Sequence, residues 1–331
     1  MFAPCVKGHM PRYAPSKSLY PNFRKMKKIL TLISVLLSFS VSAQGLYDHT
    51  PDARIAAMAG ASVATRADAF ATFGNAAASL MEYKLVQVAG SYTNFTGDIY
   101  NQYRMWAGGA YVRFAQRHAV AVGLQFNAEP RNDYNDKRPG AQRFDLAYGY
   151  KLSDRVSLAA TARYRRTYNY FFDDDNYNGG GADLTVYSRL PMKFLEGATL
   201  NIGGKLSFDA PIAPQYNCTG VTPAVGVSLS MPFSDAHLLD ISTEIKYGIS
   251  SREDIFAAKL GAEYTLMRLF YLRAGGNVSK IFYADTAPTI AYGSVGAGVR
   301  FFHLQFDVAY LVGKKNTPFH NAVQINFGLD F

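Results

Sequence analysis

From Lys84 to the C-terminus, apolar residues alternate with polar or small ones in stretches of about ten, the period-2 signature of strands with one apolar face. Val120, Val122, Leu124 and Phe126 alternate with Ala121, Gly123 and Gln125, and Leu304, Phe306, Val308, Tyr310 and Val312 alternate with Gln305 and Asp307. About fourteen such stretches can be counted, at 84–93, 103–114, 117–127, 141–152, 154–166, 181–190, 197–208, 221–232, 237–248, 254–265, 268–279, 289–300, 302–313 and 322–331. Sustained helical periodicity is absent from this part of the chain. The connections alternate as well. Those after the first, third, fifth, seventh, eleventh and thirteenth stretches are long and mostly polar, as at residues 128–140. Most after even-numbered stretches are short, such as Ala115-Gln116 and Ser153. The connection after the ninth stretch is short and breaks the pattern.

This arrangement predicts an all-β fold, a transmembrane outer-membrane β-barrel of about 14 antiparallel strands with long external loops and tight periplasmic turns. The stretches are close to the roughly 9 to 11 residues that a tilted membrane strand needs. A soluble β-sandwich would also leave one apolar face per strand, but two stacked sheets of about fourteen long strands would be unusual. An even strand count returns the C-terminus to the side where the chain entered. The final stretch carries Phe327, Leu329 and the terminal Phe331 on one face, a candidate signal for the barrel-assembly machinery.

Charge then assigns the faces. Arg or Lys at the bilayer midplane costs about 2 to 4 kcal/mol on the lipid side. Arg163, Arg165, Asp183, Arg189, Lys205, Glu244 and Lys246 are therefore expected in the lumen. Their mixed signs suggest mutually paired ladders in preference to a selectivity filter of one sign; a path for a polar solute is the other reading.

Upstream, the apolar run Ile29–Phe39 is too short to cross a bilayer as a helix. It follows Arg24, Lys25, Lys27 and Lys28 and precedes Val41-Ser42-Ala43, the small-x-small pattern that signal peptidase cuts. Residues 1–43 are thus expected to be a leader and signal peptide, cleaved before Gln44. Met26-Lys27-Lys28 is the better start for such a signal, which leaves 1–25 as a candidate mis-assigned start. The whole chain carries a formal charge of +9, but seven of its 34 Lys and Arg and none of its 25 acids lie in the leader. The mature chain is close to neutral, and a nucleic-acid partner loses its main support. Cys5 goes with the leader, and Cys218 alone forms no intramolecular disulfide.

Residues 44–83 lack strand alternation and are rich in Ala with spaced Gly. Small residues let a backbone pack closely, as a plug inside a barrel must, and about fourteen strands enclose more space than side chains alone fill. The domain plan expected is therefore leader 1–43, plug segment 44–83 and transmembrane barrel 84–331. Within the plug the pattern Pro51-Asp52-Ala53-Arg54, then Met58-Ala59-Gly60-Ala61, Val63-Ala64-Thr65, Asp68-Ala69 and Asn75-Ala76-Ala77, resembles the N-terminal signature of PorV/PorQ-type proteins of Bacteroidetes type IX secretion. More distantly it is similar to FadL-like hydrophobic-compound transporters. Arg54, Met58, Gly60, Ala64, Asp68 and Asn75 match the motif. Ala59 stands where a Gly is common, and Ala76 where an Asn-Pro-Ala run has Pro, so the turn there is less rigid.

The resemblance implies a cell outer-membrane protein taking part in type IX protein secretion or surface attachment of cargo, with FadL-like uptake of hydrophobic small molecules as the alternative. The implied partners are outer-membrane lipid and lipopolysaccharide, the barrel-assembly machinery, and secretion-system components or secreted cargo.

Nothing in the sequence adds an enzyme to this picture. The six histidines, His9, His49, His118, His237, His303 and His320, are not paired with one another or with Cys at metal-ligand spacing, and no G-x-S-x-G or phosphate loop occurs. No catalytic residue, metal or cofactor is expected. His118, His237 and His303 fall at or beside expected periplasmic turns. Asp173-Asp174-Asp175 lacks the Gly and closing Glu of an EF-hand loop and reads as a solvated external loop.

Overall fold

The computed structural model describes residues 49–96, 102–130, 138–168, 176–193, 196–211, 220–250, 254–282, 287–315 and 317–331. The expected leader at 1–43, the Asp173–Asp175 run and Cys218 lie outside the described residues. The strands are β1 (Val86–Thr96), β2 (Gln102–Phe114), β3 (His118–Ala128), β4 (Gly140–Lys151), β5 (Val156–Tyr168), β6 (Asn176–Pro191) and β7 (Thr199–Pro211). They continue as β8 (Gly220–Ser234), β9 (His237–Ser250), β10 (Asp254–Leu266), β11 (Phe270–Phe282), β12 (Thr289–Phe301), β13 (Leu304–Gly313) and β14 (Ala322–Asp330). Each pairs antiparallel with its chain neighbours, and β1 pairs with β14, so the fourteen strands close into a barrel. Closure removes the open edges that a sheet would otherwise expose to pairing.

Period-2 alternation sets the two faces. On β14, Val323, Ile325, Phe327 and Leu329 point outward, while Gln324, Asn326 and Asp330 are buried within. Phe327 lies opposite Phe306 of β13 and Gly90 of β1, so the outward face continues across the closing seam. Leu146, Leu260 and Val295 are each more than half exposed on the same outer face. His118 and His237 open β3 and β9, and His303 sits in the turn before β13, all on the short-turn rim. Turns there are tight, with left-handed Ala115-Gln116 (φ 47° and 61°) and Met267-Arg268 (φ 55° and 57°).

Strand β6 starts five residues before the alternating stretch at 181. Asn176–Gly181 are polar or Gly, yet they pair with Tyr168–Arg163 of β5. Backbone pairing runs past the apolar zone, where alternation stops marking it.

Residues 49–85 form no strand. They start at the long-connection rim, where the His49 ring packs against Phe95, Tyr103 and Phe319 with centroids 4.7, 5.3 and 5.0 Å away. They end at the opposite rim, where Lys84 meets Asp330 at 3.0 Å. Between lie a helix, α1 (Ala53–Ala57), and a 3-10 helix over Ala76–Met81. Asp52 caps α1 by accepting the Arg54 N–H. Asn75 caps the 3-10 helix by accepting the Ala77 N–H. The apolar core sits inside the barrel, where Ala53, Ala56, Ala57 and Ala59 pack with Met105, Ile281, Leu311 and Phe319.

Candidate functional site

The site is the interface between this internal segment and the barrel wall. A chain that carries its backbone through a barrel without joining the sheet must find partners for its N–H and C=O groups. The lumenal side chains supply them. Glu244 of β9 accepts the Ser62 and Val63 N–H groups through one oxygen, at 2.7 and 2.9 Å, and Lys259 of β10 through the other, at 2.9 Å. Lys259 also donates to the Gly60 carbonyl at 3.1 Å. Lys205 of β7 donates to the carbonyls of Phe73 and Gly74, both at 3.0 Å. Near the short-turn rim, Arg189 of β6 donates to the Met81 carbonyl at 2.6 Å and pairs with Glu82 at 2.9 Å.

The wall also yields space. A methyl group on Gly261 of β10 would stand 2.5 Å from the Met58 Cβ, one on Gly275 of β11 would stand 2.5 Å from the Met58 carbonyl carbon, and one on Gly296 of β12 would stand 2.5 Å from the Ala57 Cβ. One on Gly203 of β7 would overlap the Val63 carbonyl. These glycines are there for close backbone approach. Two voids beside the segment have volumes of about 10 and 20 Å³, room for roughly a water each.

The motif residues fall into this interface. Arg54 donates to Glu263 of β10 through Nε at 2.8 Å and Nη2 at 3.2 Å, and to the Arg66 carbonyl through Nη1 at 2.8 Å. Its Nη1 is 3.7 Å from Asp68. Met58 is fully buried. Ala59 and Gly60 are both left-handed, at φ 53° and 85°. That conformation costs an alanine roughly 1 to 2 kcal/mol, which accounts for the glycine common at this motif position. Ala59 is held there by Ser294 of β12, which accepts its N–H at 3.0 Å, and by Tyr292, which donates to its carbonyl at 3.1 Å. Asn75 donates to Val63 O at 2.7 Å and Val186 O at 2.9 Å, bridging two stretches of the segment to β6. Ala76 occupies the first position of the 3-10 helix, where proline is tolerated because that N–H has no helical partner.

The lumen charges separate into two groups. On β4 to β7, Arg163 contacts Asp145, Asp183 and Asp209 at 3.3, 2.5 and 2.9 Å, and Arg165 stands 3.9 Å from Asp209. Lys205 joins Asp183 at 3.0 Å. On β9 to β13, Glu263 is also bound by Arg273 at 2.6 Å and by Arg66 at 3.3 Å, Arg273 reaches Asp307 at 2.7 Å, and Arg66 reaches Asp240 at 2.8 Å. Lys246 is half-buried on the lumen face of β9, beside Glu244. Sequence reasoning did not single out Asp52, Arg66, Arg273 or Asp307. Their lumen-side position was the available signal. At the chain end, the Phe331 carbonyl accepts the Leu85 and Val86 N–H groups at 2.8 and 3.1 Å, so the terminal residue closes the β1–β14 seam. Phe327 and Leu329 lie outward on the same seam.

The fold is similar to that of solved hydrocarbon channels. The CymD monoaromatic hydrocarbon channel matches with a TM-score of 0.57 at 12% identity, covering 84% of this chain and 96% of that one. The Pseudomonas putida toluene transporter TodX matches with a TM-score of 0.53 at 11% identity, over 88% and 99%. A Pseudomonas aeruginosa FadL homologue matches with a TM-score of 0.51 at 13% identity, over 88% and 99%. At these identities the likeness is one of fold. Among curated proteins nothing matches. The profile of the family described as "Type IX secretion system protein PorV" matches residues 41–246, through the Arg54–Asn75 motif and into β9. With that span covering more than half of its length, the chain belongs to the family of the type IX secretion system protein PorV.

Proposed function

We propose that this protein is an outer-membrane component of type IX secretion that handles cargo at its rims and outer wall, with its lumen kept filled. The family carries the secretion reading. The observation that carries the filled-lumen reading is the close seating of Val63, Met58 and Ala57 on wall glycines, with carboxylate, ammonium and guanidinium groups bound to the plug backbone. A segment held at both its backbone and its side chains is part of the barrel's core. The domain plan that follows is leader 1–43, plug 44–83 and barrel 84–331. The apolar outer face meets lipid, the long-connection rim meets lipopolysaccharide, and the closing strand with Phe331 is what the barrel-assembly machinery reads. No catalytic role is proposed.

FadL-like uptake of hydrophobic small molecules draws on the shared fold. It requires an apolar internal pocket of roughly 300 Å³ or more. The two voids at the plug fall more than tenfold short of that. The test is fractionation with heat-modifiable gel migration, followed by planar-bilayer recording. The expected result is recovery in the outer membrane and very low conductance of the intact protein. Recovery in the soluble periplasm would overturn the barrel's location, and a large steady conductance would overturn the filled lumen.

A further inference from the structure

The two sides of the short-turn rim differ in chemistry. At the β4–β5 and β8–β9 connections the tips are polar, with Ser153, Asp154, Arg155, Ser234 and Asp235 all exposed. From β10 round to β1 the tips are apolar. Met267 stands in the β10–β11 turn and Phe302 in the β12–β13 turn, with Phe301 beside it. Phe331 follows β14, next to Tyr83 and Leu85, where the plug segment leaves the lumen. All six are more than half exposed, Phe302 at 80%.

These residues form one arc. The Arg300 N–H donates to the Leu269 carbonyl at 2.8 Å, the Asp330 N–H to the His303 carbonyl at 2.9 Å and the Leu85 N–H to the Phe331 carbonyl at 2.8 Å, so each turn is tied to the next. The charged and polar groups of the arc turn away from its surface. Lys84 and Arg300 face the buried Asp330 at 3.0 and 3.6 Å, and His303 hydrogen-bonds the Asp330 carbonyl through Nδ1 at 2.6 Å. Arg268 donates to the Asp235 carbonyl of the neighbouring turn at 2.7 Å. Two of the tips also hold a strained backbone, with Met267 and Phe302 left-handed at φ 55° and 53°. Gly or Asn would adopt that conformation at lower cost, so a bulky apolar side chain at such a site points to a use for the side chain.

An exposed apolar patch of this kind marks an interface. Continuity identifies what covers it. On the same strands the outward wall carries Leu272, Val299, Phe306 and Leu329, and it runs into the tips without a polar break. Across the barrel the apolar wall ends at Leu152 and Phe233, just before the polar tips. We propose that the β10–β1 arc of the short-turn rim is sunk in the adjoining phospholipid leaflet, its rings at the level of the headgroups and upper acyl chains, so that the barrel sits tilted with its polar turns in water. Phe, Met and Leu gain by leaving water, and the Tyr83 ring, apolar with a polar tip, suits the boundary. The proposal rests on the outer-membrane location given above.

The test reads Trp fluorescence of the full-length protein in phosphatidylcholine nanodiscs, with or without brominated acyl chains, and with iodide in the water. The chain has a single Trp, Trp106, on the outer wall of β2, and in wild type brominated chains should quench it. In a Trp106→Phe background, Phe302→Trp and Met267→Trp should each be quenched at least about twofold by brominated chains and little by iodide, and Ser153→Trp the reverse. Met267→Trp carries the comparison if Phe302→Trp does not assemble. Tips quenched by iodide stand in water and overturn the proposal. Tips reached by neither quencher are covered by protein, which overturns it too, and equal bromine quenching at Ser153→Trp overturns the tilt. Unquenched Trp106 in wild type would take the barrel itself out of the bilayer and overturn the location together with the inference.

Discussion

Arg54 and Glu263 are 209 residues apart in the chain and meet in a two-pronged ion pair inside the barrel, Nε to Oε2 at 2.8 Å and Nη2 to Oε1 at 3.2 Å. Glu263 is the hub of its group, since Arg66 and Arg273 bind it too. Removing one partner of a buried pair costs about 3 to 5 kcal/mol, because the other charge is left uncompensated. Glu263→Gln takes the shared carboxylate from three arginines at once, leaving Arg273 to Asp307, Arg66 to Asp240 and Arg54 to the more distant Asp68. It should loosen the plug more than Asp68→Ala does, read as faster proteolysis within residues 49–83. Equal protection in the two variants would contradict the hub.

Gly203 and Gly276 give a matched pair of substitutions. A methyl on Gly203 overlaps the Val63 carbonyl, whereas one on the outward-facing Gly276 meets nothing within 4 Å. Gly203→Ala should displace the plug and lower thermal stability by roughly 1 to 3 kcal/mol, the usual cost of overpacking. Gly276→Ala should stay within about 0.5 kcal/mol of wild type. Heat-modifiability midpoints of the two variants check this.

Asn75→Ala removes the cap on the 3-10 helix and both donors to Val63 O and Val186 O. The expected loss is about 1 to 3 kcal/mol of local stability. Asn75→Asp keeps the capping acceptor and loses the donors, so its plug exchange should fall between wild type and Asn75→Ala. Full rescue by Asp would mean that only the cap matters.

These relationships divide into those legible along the chain and those that are not. The outward set Val323, Ile325, Phe327 and Leu329 could be read from alternation, because a strand's period is fixed at two. The pairing of Arg54 with Glu263 could not, since it depends on which strand curves back over α1. The wall glycines read as ordinary small lumen residues until Met58 and Val63 are seen resting on them. The start of β6 at Asn176 was hidden because polar and glycine residues carry no period. Asp52 is legible in the chain only as part of the Pro51-Asp52-Ala53-Arg54 run; that it caps α1 and also accepts the Asn326 amide of β14 shows only in the folded barrel.

Deleting Phe331 removes the carbonyl that accepts the Leu85 and Val86 N–H groups, and the ring stacked on His303 at a centroid distance of 5.0 Å. The yield of heat-modifiable barrel should fall severalfold. An unchanged yield would separate seam closure from assembly.

Deleting residues 46–80 should leave an assembled barrel that conducts in planar bilayers well above the intact protein, with Asp68→Ala intermediate or flickering. A deletion that conducts no more than wild type would mean that the segment does not fill the lumen.

The most direct measurement is where secreted cargo stands in cells that lack this protein. The account predicts that cargo accumulates in the periplasm, and that release or surface attachment returns with the full chain supplied in trans. Normal export in the deletion strain, together with lost uptake of a hydrophobic small molecule, would contradict the secretion role and favour transport.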